Sequence, residues 1–103
     1  MRVVTKRTIH VLAERYPLAR KSLFDWFRVV DGAEWTTPHD VKATFAKASI
    51  INHERVVFNI HGNDFRLIVA IDYQRGILFV KWFGSHADYD HIDATTITWR
   101  DLP

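Results

Sequence analysis

Residues 58–73 read FNIHGNDFRLIVAIDY. Apolar residues alternate on both sides of the Gly62-Asn63 pair, which is a strong short-range signal for a β-hairpin. With Gly62-Asn63 as a two-residue turn, His61 faces Asp64, Ile60 faces Phe65 and Asn59 faces Arg66. Side chains directly opposite share a face. Val56, Phe58, Ile60, Phe65, Leu67, Val69 and Ile71 then point one way, into the core, while Asn59, His61 and Arg66 point to an open face. An arginine on an outer sheet face either solvates it or serves a site, and the neighbouring Asn59 and His61 favour a site.

Outward from this hairpin, the strand pattern covers residues 56–61, 65–73 and 77–83, separated by the turn signals GN and QRG. A three-residue turn at Gln74-Arg75-Gly76 pairs Leu67 with Phe83 and places residue 84 across from Arg66. A four-residue turn reverses the faces and puts Lys81 beside Arg66 instead. Upstream the period is helical. RVVT at residues 2–5 fits a short first strand, and Ile9, Leu12 and Ala13 form one helix face that Tyr16-Pro17 ends. Leu18, Leu23, Phe24, Trp26, Phe27 and Val30 make the stripe of a second helix closed by Asp31-Gly32. Thr37-Pro38-His39-Asp40 starts a short third helix running to about Phe45 or Lys47. Helices followed by a meander predict a single α+β domain over 1–103, with the helices on one face of a small, mostly antiparallel sheet.

Composition narrows the class. The 103 residues are 48% hydrophobic and 25% charged, ordinary for a globular protein, and contain no cysteine. Disulfides and thiolate metal sites are excluded, which suits a reducing cytoplasm. No apolar run approaches the roughly 18–20 residues that span a bilayer, and MRVVTKRTIH has no signal-peptide core. The expectation is a soluble cytoplasmic protein with no membrane partner. The net charge of +2 is small but uneven. Residues 1–28 hold seven basic and two acidic side chains, and residues 84–103 hold four Asp and one Arg. A basic end of this kind can approach phosphate, although Lys/Arg-rich helix surfaces are also common for solubility alone.

The third strand runs into GSHADYDHID at residues 84–93. Gly84 breaks the strand, Ser85 can cap a turn, and His86 and Tyr89 follow at the strand end, where rigid scaffolds display reactive groups. Arginine offers phosphate a planar fork of donors. Histidine moves protons near neutrality, and tyrosine stacks on a base or orients a hydroxyl. Together these groups suit metal-free cleavage of RNA, in which the 2′-OH attacks the adjacent phosphate. A rival reading makes His86, Asp88, Asp90, His91 and Asp93 metal ligands, but H-x₄-H is not a recognised ligand spacing and solvated Asp residues explain the cluster equally well. No metal or cofactor is therefore expected. His10, His39 and His53 read as flank, first-turn and loop residues; Trp26, Trp35 and Trp99 read as packing residues.

The run VVFNIHGNDFRLIVAIDY, followed by GSHADYDHID, resembles the HigB-type toxins of bacterial toxin–antitoxin systems. Their signature is approximately F-N-I-x-G-N-x-[YF]-R-L-I, then G-[TS]-H-x-x-Y-D. The segment Trp35–Lys42 is also similar to the start of that family's third helix, so the likeness covers about residues 35–93. The resemblance implies a RelE-like fold and an endoribonuclease that cuts mRNA, typically on the ribosome, without a metal. It also implies a helix-turn-helix, HigA-like antitoxin that binds and neutralises the toxin. By the same likeness, Arg66 grips the scissile phosphate, His86 is the acid–base residue and Tyr89 positions the nucleotide. Asn59 and His61, with Lys42, Lys47, Lys81 and the basic N-terminal helices, are the expected RNA contacts. Two features depart from the pattern: the site is acidic, with Asp88, Asp90 and Asp93 close by, and Ser85 stands where Thr is usual. The same sheet face would equally serve a non-catalytic RNA- or protein-binding module.

Overall fold

A computed structural model describes residues 1–4 and 6–99. Its elements run β1 (Arg2–Val3), α1 (Lys6–Arg15), a 3₁₀ turn (Pro17–Ala19), α2 (Arg20–Asp31), α3 (Pro38–Thr44), β2 (Ser49–Ile50), β3 (Arg55–Ile60), β4 (Phe65–Asp72), β5 (Ile77–Ser85) and the one-turn α4 (His86–Tyr89). The sheet order is β1-β5-β4-β3-β2. All neighbours are antiparallel except β1, which pairs parallel to β5 through Arg2–Ile77 and Val3–Leu78. Thr5, the last residue of the expected first strand, lies outside the described residues, as do Arg100 to Pro103 at the acidic end.

Local chemistry explains the helix boundaries. Pro17 cannot continue α1, and it starts the 3₁₀ turn instead. Thr37 and Asp40 form a reciprocal capping box at α3, where Thr37 Oγ1 accepts from the Asp40 amide at 3.3 Å and Asp40 Oδ2 from the Thr37 amide at 3.2 Å. Leu18 departs from the expected stripe. It falls in the 3₁₀ turn, out of phase with α2, and is 73% exposed.

The core forms where α1 and α2 cover one face of the sheet. Ile9, Leu12, Leu23, Trp26 and Val30 meet Val56, Phe58, Ile60, Leu67, Val69 and Ile71 from β3 and β4. Burying such side chains stabilises the fold by about 1.5–3 kcal/mol each before entropy is counted. Phe65, also expected inward, is half-buried against this cluster.

The opposite face is not open. Val57, Ile68 and Trp82 form a second cluster on it, covered by Ile51, Tyr89, Ile92, Ala94, Ile97 and Trp99. The chain after α4 folds back as a strap. Arg55 Nη1 donates to the Ile97 carbonyl at 2.6 Å, and the Trp99 amide donates to the Lys81 carbonyl at 3.0 Å. Among the described residues, no helix is long and apolar enough to cross a membrane.

Neither single register of β5 holds throughout. Asp72 pairs with Ile77 and Val69 with Val80, which is the four-residue-turn register. A bulge opposite Ile68/Val69 then leaves Lys81 as an extra residue. From Trp82 onward the three-residue-turn register takes over, with Leu67 opposite Phe83 and Arg66 opposite Gly84. The bulge explains why Val80 and Phe83 enter the helix-side core while Trp82 enters the other cluster. Lys81 therefore does not reach the place beside Arg66.

Candidate active site

The hairpin register is Asn59–Arg66 and Ile60–Phe65, closed by a loop over residues 61–64. The loop is not a Gly-Asn turn of the mirror-image type. Positive φ falls on His61 (54°) and Gly62 (62°), and the Asp64 amide donates to the His61 carbonyl at 3.2 Å. Shifted by one residue from the expected turn, this conformation takes His61 out of the strand alternation. Its ring no longer follows Asn59 across the sheet. His61 lines a cleft of about 300 Å³ with Trp26 and Val29 of α2, and its Nδ1 lies 3.0 Å from Asp64 Oδ2.

Arg66 lies on the face away from α1 and α2, as its register requires, yet it is only 9% exposed. Its Nη1 donates to the carbonyls of Asn63 and Phe65, both at 3.1 Å, and its Nη2 to Asn63 Oδ1 at 2.6 Å. The guanidinium carbon stands 5.9 Å from the centre of the Tyr89 ring, a cation–π arrangement. Among the described residues, those contacts leave the Nε–H and one Nη2 hydrogen without an acceptor. Asn63, read from the sequence only as half of a two-residue turn, is thus the residue that sets the fork.

Gly84 stands opposite Arg66, and the chain turns directly into α4. Ser85 caps that helix, its Oγ accepting from the Asp88 amide at 3.1 Å. This satisfies one of the orphan donors of the first turn and sets the direction of His86 and Tyr89. The His86 amide donates to the Asp64 carbonyl at 2.9 Å, which ties α4 to the hairpin loop. Among the described residues His86 Nδ1 is buried without a hydrogen-bond partner, and Asp90 Oδ1 lies 3.7 Å away. Tyr89 closes the arrangement, between Trp82 (ring centres 6.4 Å apart) and the Arg66 guanidinium.

The structure therefore brings Arg66, His86 and Tyr89 together around one loop, with Asn59 as Arg66's cross-strand neighbour. The lysines are dispersed. Lys42 Nζ donates to the carbonyls of Ala46 and Ala48 at 2.7 and 2.8 Å, where it ties down the chain after α3. Lys47 is exposed on the rim of a 360 Å³ cleft that Phe45, Phe58 and Asn59 also line. Lys81 occupies the bulge, its Nζ 5.5 Å from the Phe79 ring centre. The basic side chains of α1 and α2 flank the core on the other face from Arg66. The α1–α2 junction approaches the site's end of the sheet, where Tyr16 packs on Phe65 and Phe83, and α2 lines a cleft with the hairpin loop through Ser22, Trp26 and Val29.

Among the described residues no group of three His, Asp or Glu side chains is placed to hold a metal ion. Asp93 instead caps its own turn. Its Oδ1 accepts from the Thr95 hydroxyl and, at 2.9 Å, from the Thr95 amide, and these bonds hold its carboxyl below the usual range. Arg55 and the strap went unread in the sequence. Ile92, Ala94, Ile97 and Trp99 were the available signal, but Asp and Thr residues dilute it.

Comparison with known proteins agrees with the fold. The family described as "HigB_toxin, RelE-like toxic component of a toxin-antitoxin system" matches residues 19–92. The chain is 26% identical over 94 residues to the mRNA interferase HigB of Escherichia coli O6:H1, covering 89% of this chain and 91% of that protein. It is 22% identical over 96 residues to the mRNA interferase toxin HigB of Escherichia coli strain K12, covering 91% and 92%.

Proposed function

The chain belongs to the HigB family of RelE-like toxins, and from that premise we propose that it is an endoribonuclease that inhibits translation by cutting mRNA. The observation that carries this reading is the convergence of a forked arginine, a histidine and a tyrosine on the loop 61–64. The relatives named above as mRNA interferases support it, matching along nearly the whole chain.

In the proposed reaction the ribose 2′-OH attacks the neighbouring phosphate. The unengaged donors of Arg66 receive the charge that builds on the phosphorane oxygens. Such preorganised donors typically contribute about 10²–10³ in rate. His86 moves protons, and Tyr89 orients the nucleotide while shielding the guanidinium from water, which strengthens its hold on phosphate. The chemistry needs no metal, because proton transfer and a fixed cation suffice. DNA lacks the attacking hydroxyl and is spared.

The substrate is proposed to be message on the ribosome, with the basic α1–α2 junction, Asn59, Lys47 and Lys81 as backbone contacts. A HigA-like helix-turn-helix antitoxin is the proposed neutralising partner, acting in the cytoplasm. Mapping RNA 5′ ends after brief induction of the wild-type chain and of Arg66→Ala tests the reading. New ends inside reading frames, absent in the variant, are expected. A soluble wild-type chain that makes no new ends would leave only a binding role for this face.

A further inference from the structure

The two ring nitrogens of His86 meet different surroundings. The side chain is 44% exposed, yet Nδ1 is shut away from solvent, and among the described residues it has no hydrogen-bond partner. A buried nitrogen in this state costs free energy in either tautomer, as an orphan donor or as an orphan acceptor. The backbone that carries the ring is held on both sides. The His86 amide donates to the Asp64 carbonyl at 2.9 Å, and the His86 carbonyl accepts from the Asp90 amide at 3.3 Å. Nδ1 is thus kept under cover, and Nε2 is the nitrogen that can meet a substrate.

Asp90 Oδ1 lies 3.7 Å from the covered nitrogen. That is beyond hydrogen-bond range, and shortening it to ~2.9 Å needs only a small rotation of the carboxyl. The Asp90 side chain is 60% exposed and pairs with no other basic group among the described residues, while its amide bond keeps it one turn from His86. Catalytic hydrogen bonds are often long without substrate and tighten when it binds. The other charged groups around α4 are engaged elsewhere. Asp64 Oδ2 is bonded to His61 Nδ1 at 3.0 Å, Arg66 to Asn63 and Phe65, and Asp93 to Thr95. Asp88 lies two residues from His86, a spacing at which helical side chains do not face each other. Asp90 is the carboxylate left for the ring.

We propose that Asp90 is a positioning residue of this site: it accepts from His86 Nδ1–H, fixes the ring and leaves the Nε2 lone pair toward the substrate. The inference rests on the ribonuclease reading, in which His86 moves protons. A hydrogen bond at one ring nitrogen sets which tautomer is present and which nitrogen does the chemistry. The pair also gives a use to one of the aspartates that make this site acidic. A free carboxylate beside a phosphate site repels the substrate. Directed at Nδ1, its charge acts on the imidazole instead.

The ¹⁵N spectrum of the imidazole rings reads the tautomer directly, at about pH 8 where an ordinary histidine is neutral, with His86→Gln assigning the signal. The wild-type chain should hold Nδ1–H at His86. Asp90→Ala, a change at an exposed position that should leave the melting temperature unaltered, should release the ring to a mixture of tautomers. Single-turnover cleavage of a defined message on stalled ribosomes supplies the second readout. Asp90→Ala should lower the maximal rate, by less than the about 10²–10⁴ that removing His86 costs, with the half-saturating message concentration unchanged. Asp90→Glu should recover part of the loss. In a His86→Ala background, Asp90→Ala should cost nothing further, because the two residues act as one unit. An unaltered tautomer in Asp90→Ala overturns the proposal, as does wild-type cleavage by that variant or a further loss beside His86→Ala. A wild-type chain that cuts nothing sinks the ribonuclease reading and the catalytic use of the pair, whatever the spectra show.

Discussion

The indole of Trp82 lies over Gly84, so close that a Cβ on residue 84 would stand 2.5 Å from its ring. The two residues share the face on which Arg66 sits, and the bare backbone at 84 lets the indole fill the second cluster. Gly84→Ala must push the ring out of place, at a cost of about 1–3 kcal/mol for overpacking. Urea unfolding should show that loss. An unchanged midpoint would mean that Trp82 has room the packing does not reveal.

Arg66→Lys keeps the positive charge and loses the fork. The ammonium cannot reproduce the three bonds to Asn63 and Phe65 together with a phosphate contact. Cleavage should drop about 10²-fold or more with the fold retained. Asn63→Ala should weaken cleavage by a smaller factor, because the backbone carbonyls still hold Nη1. Equal activity in Arg66→Lys would reduce the arginine to a simple charge.

Arg55 is 7% exposed, and its bond to the Ile97 carbonyl holds down the strap. Among the described residues its Nε has no partner, so the residue is costly to bury and costly to cut away. Arg55→Ala should destabilise the protein by about 1–3 kcal/mol, through the unmade bond and the lost packing of its stem. Limited proteolysis should then cut within residues 90–99 sooner than in the wild type.

Acid should loosen the molecule in a defined window. Asp25 is held below the ordinary aspartate range by Lys21, Asp40 by the Thr36 amide and hydroxyl, and Asp93 by the Thr95 hydroxyl and amide. A depressed folded-state value means that the stability is present above the unfolded value and is lost as pH falls through the folded one. Thermal melts should therefore be flat above about pH 5 and decline below about pH 4. Thr37→Ala, which removes half of the capping box, should cost about 1 kcal/mol at neutral pH. At the alkaline end, burial raises the Tyr73 phenol, with the Asp40 charge adding to it. Stability from keeping that phenol neutral is complete below the ordinary tyrosine range and is lost as pH climbs through the raised one.

The hairpin was legible because its alternation and its Gly-Asn pair agree, and the Asn59–Arg66 pairing follows from them directly. The helices were legible from period, Pro17 and the Thr37 cap. The same motif names Arg66, His86 and Tyr89, and the fold sets Tyr89 against the Arg66 guanidinium and ties the His86 amide to the hairpin loop. What stayed hidden depends on tertiary accommodation. The strap reads as polar because it needs only Ile92, Ala94, Ile97 and Trp99 to cover a small second cluster. The left-handed His61 could not be foreseen at a position where Gly62 offers the easier turn. Asn63's grip on Arg66 depends on the loop's true conformation rather than on residue type.

The extra residue at Lys81 gives β5 two phases along one length. Its first half keeps step with the β4–β5 turn, and its second half keeps step with the hairpin and α4. Removing Lys81 would shorten the strand by one residue, and it would also turn over everything that follows. Trp82 would point toward the helices, Phe83 toward the strap, and the run into His86 would begin from the wrong side of the sheet. A single backbone irregularity, opposite a point two residues along β4 from the arginine, decides which side of the molecule the chemistry faces.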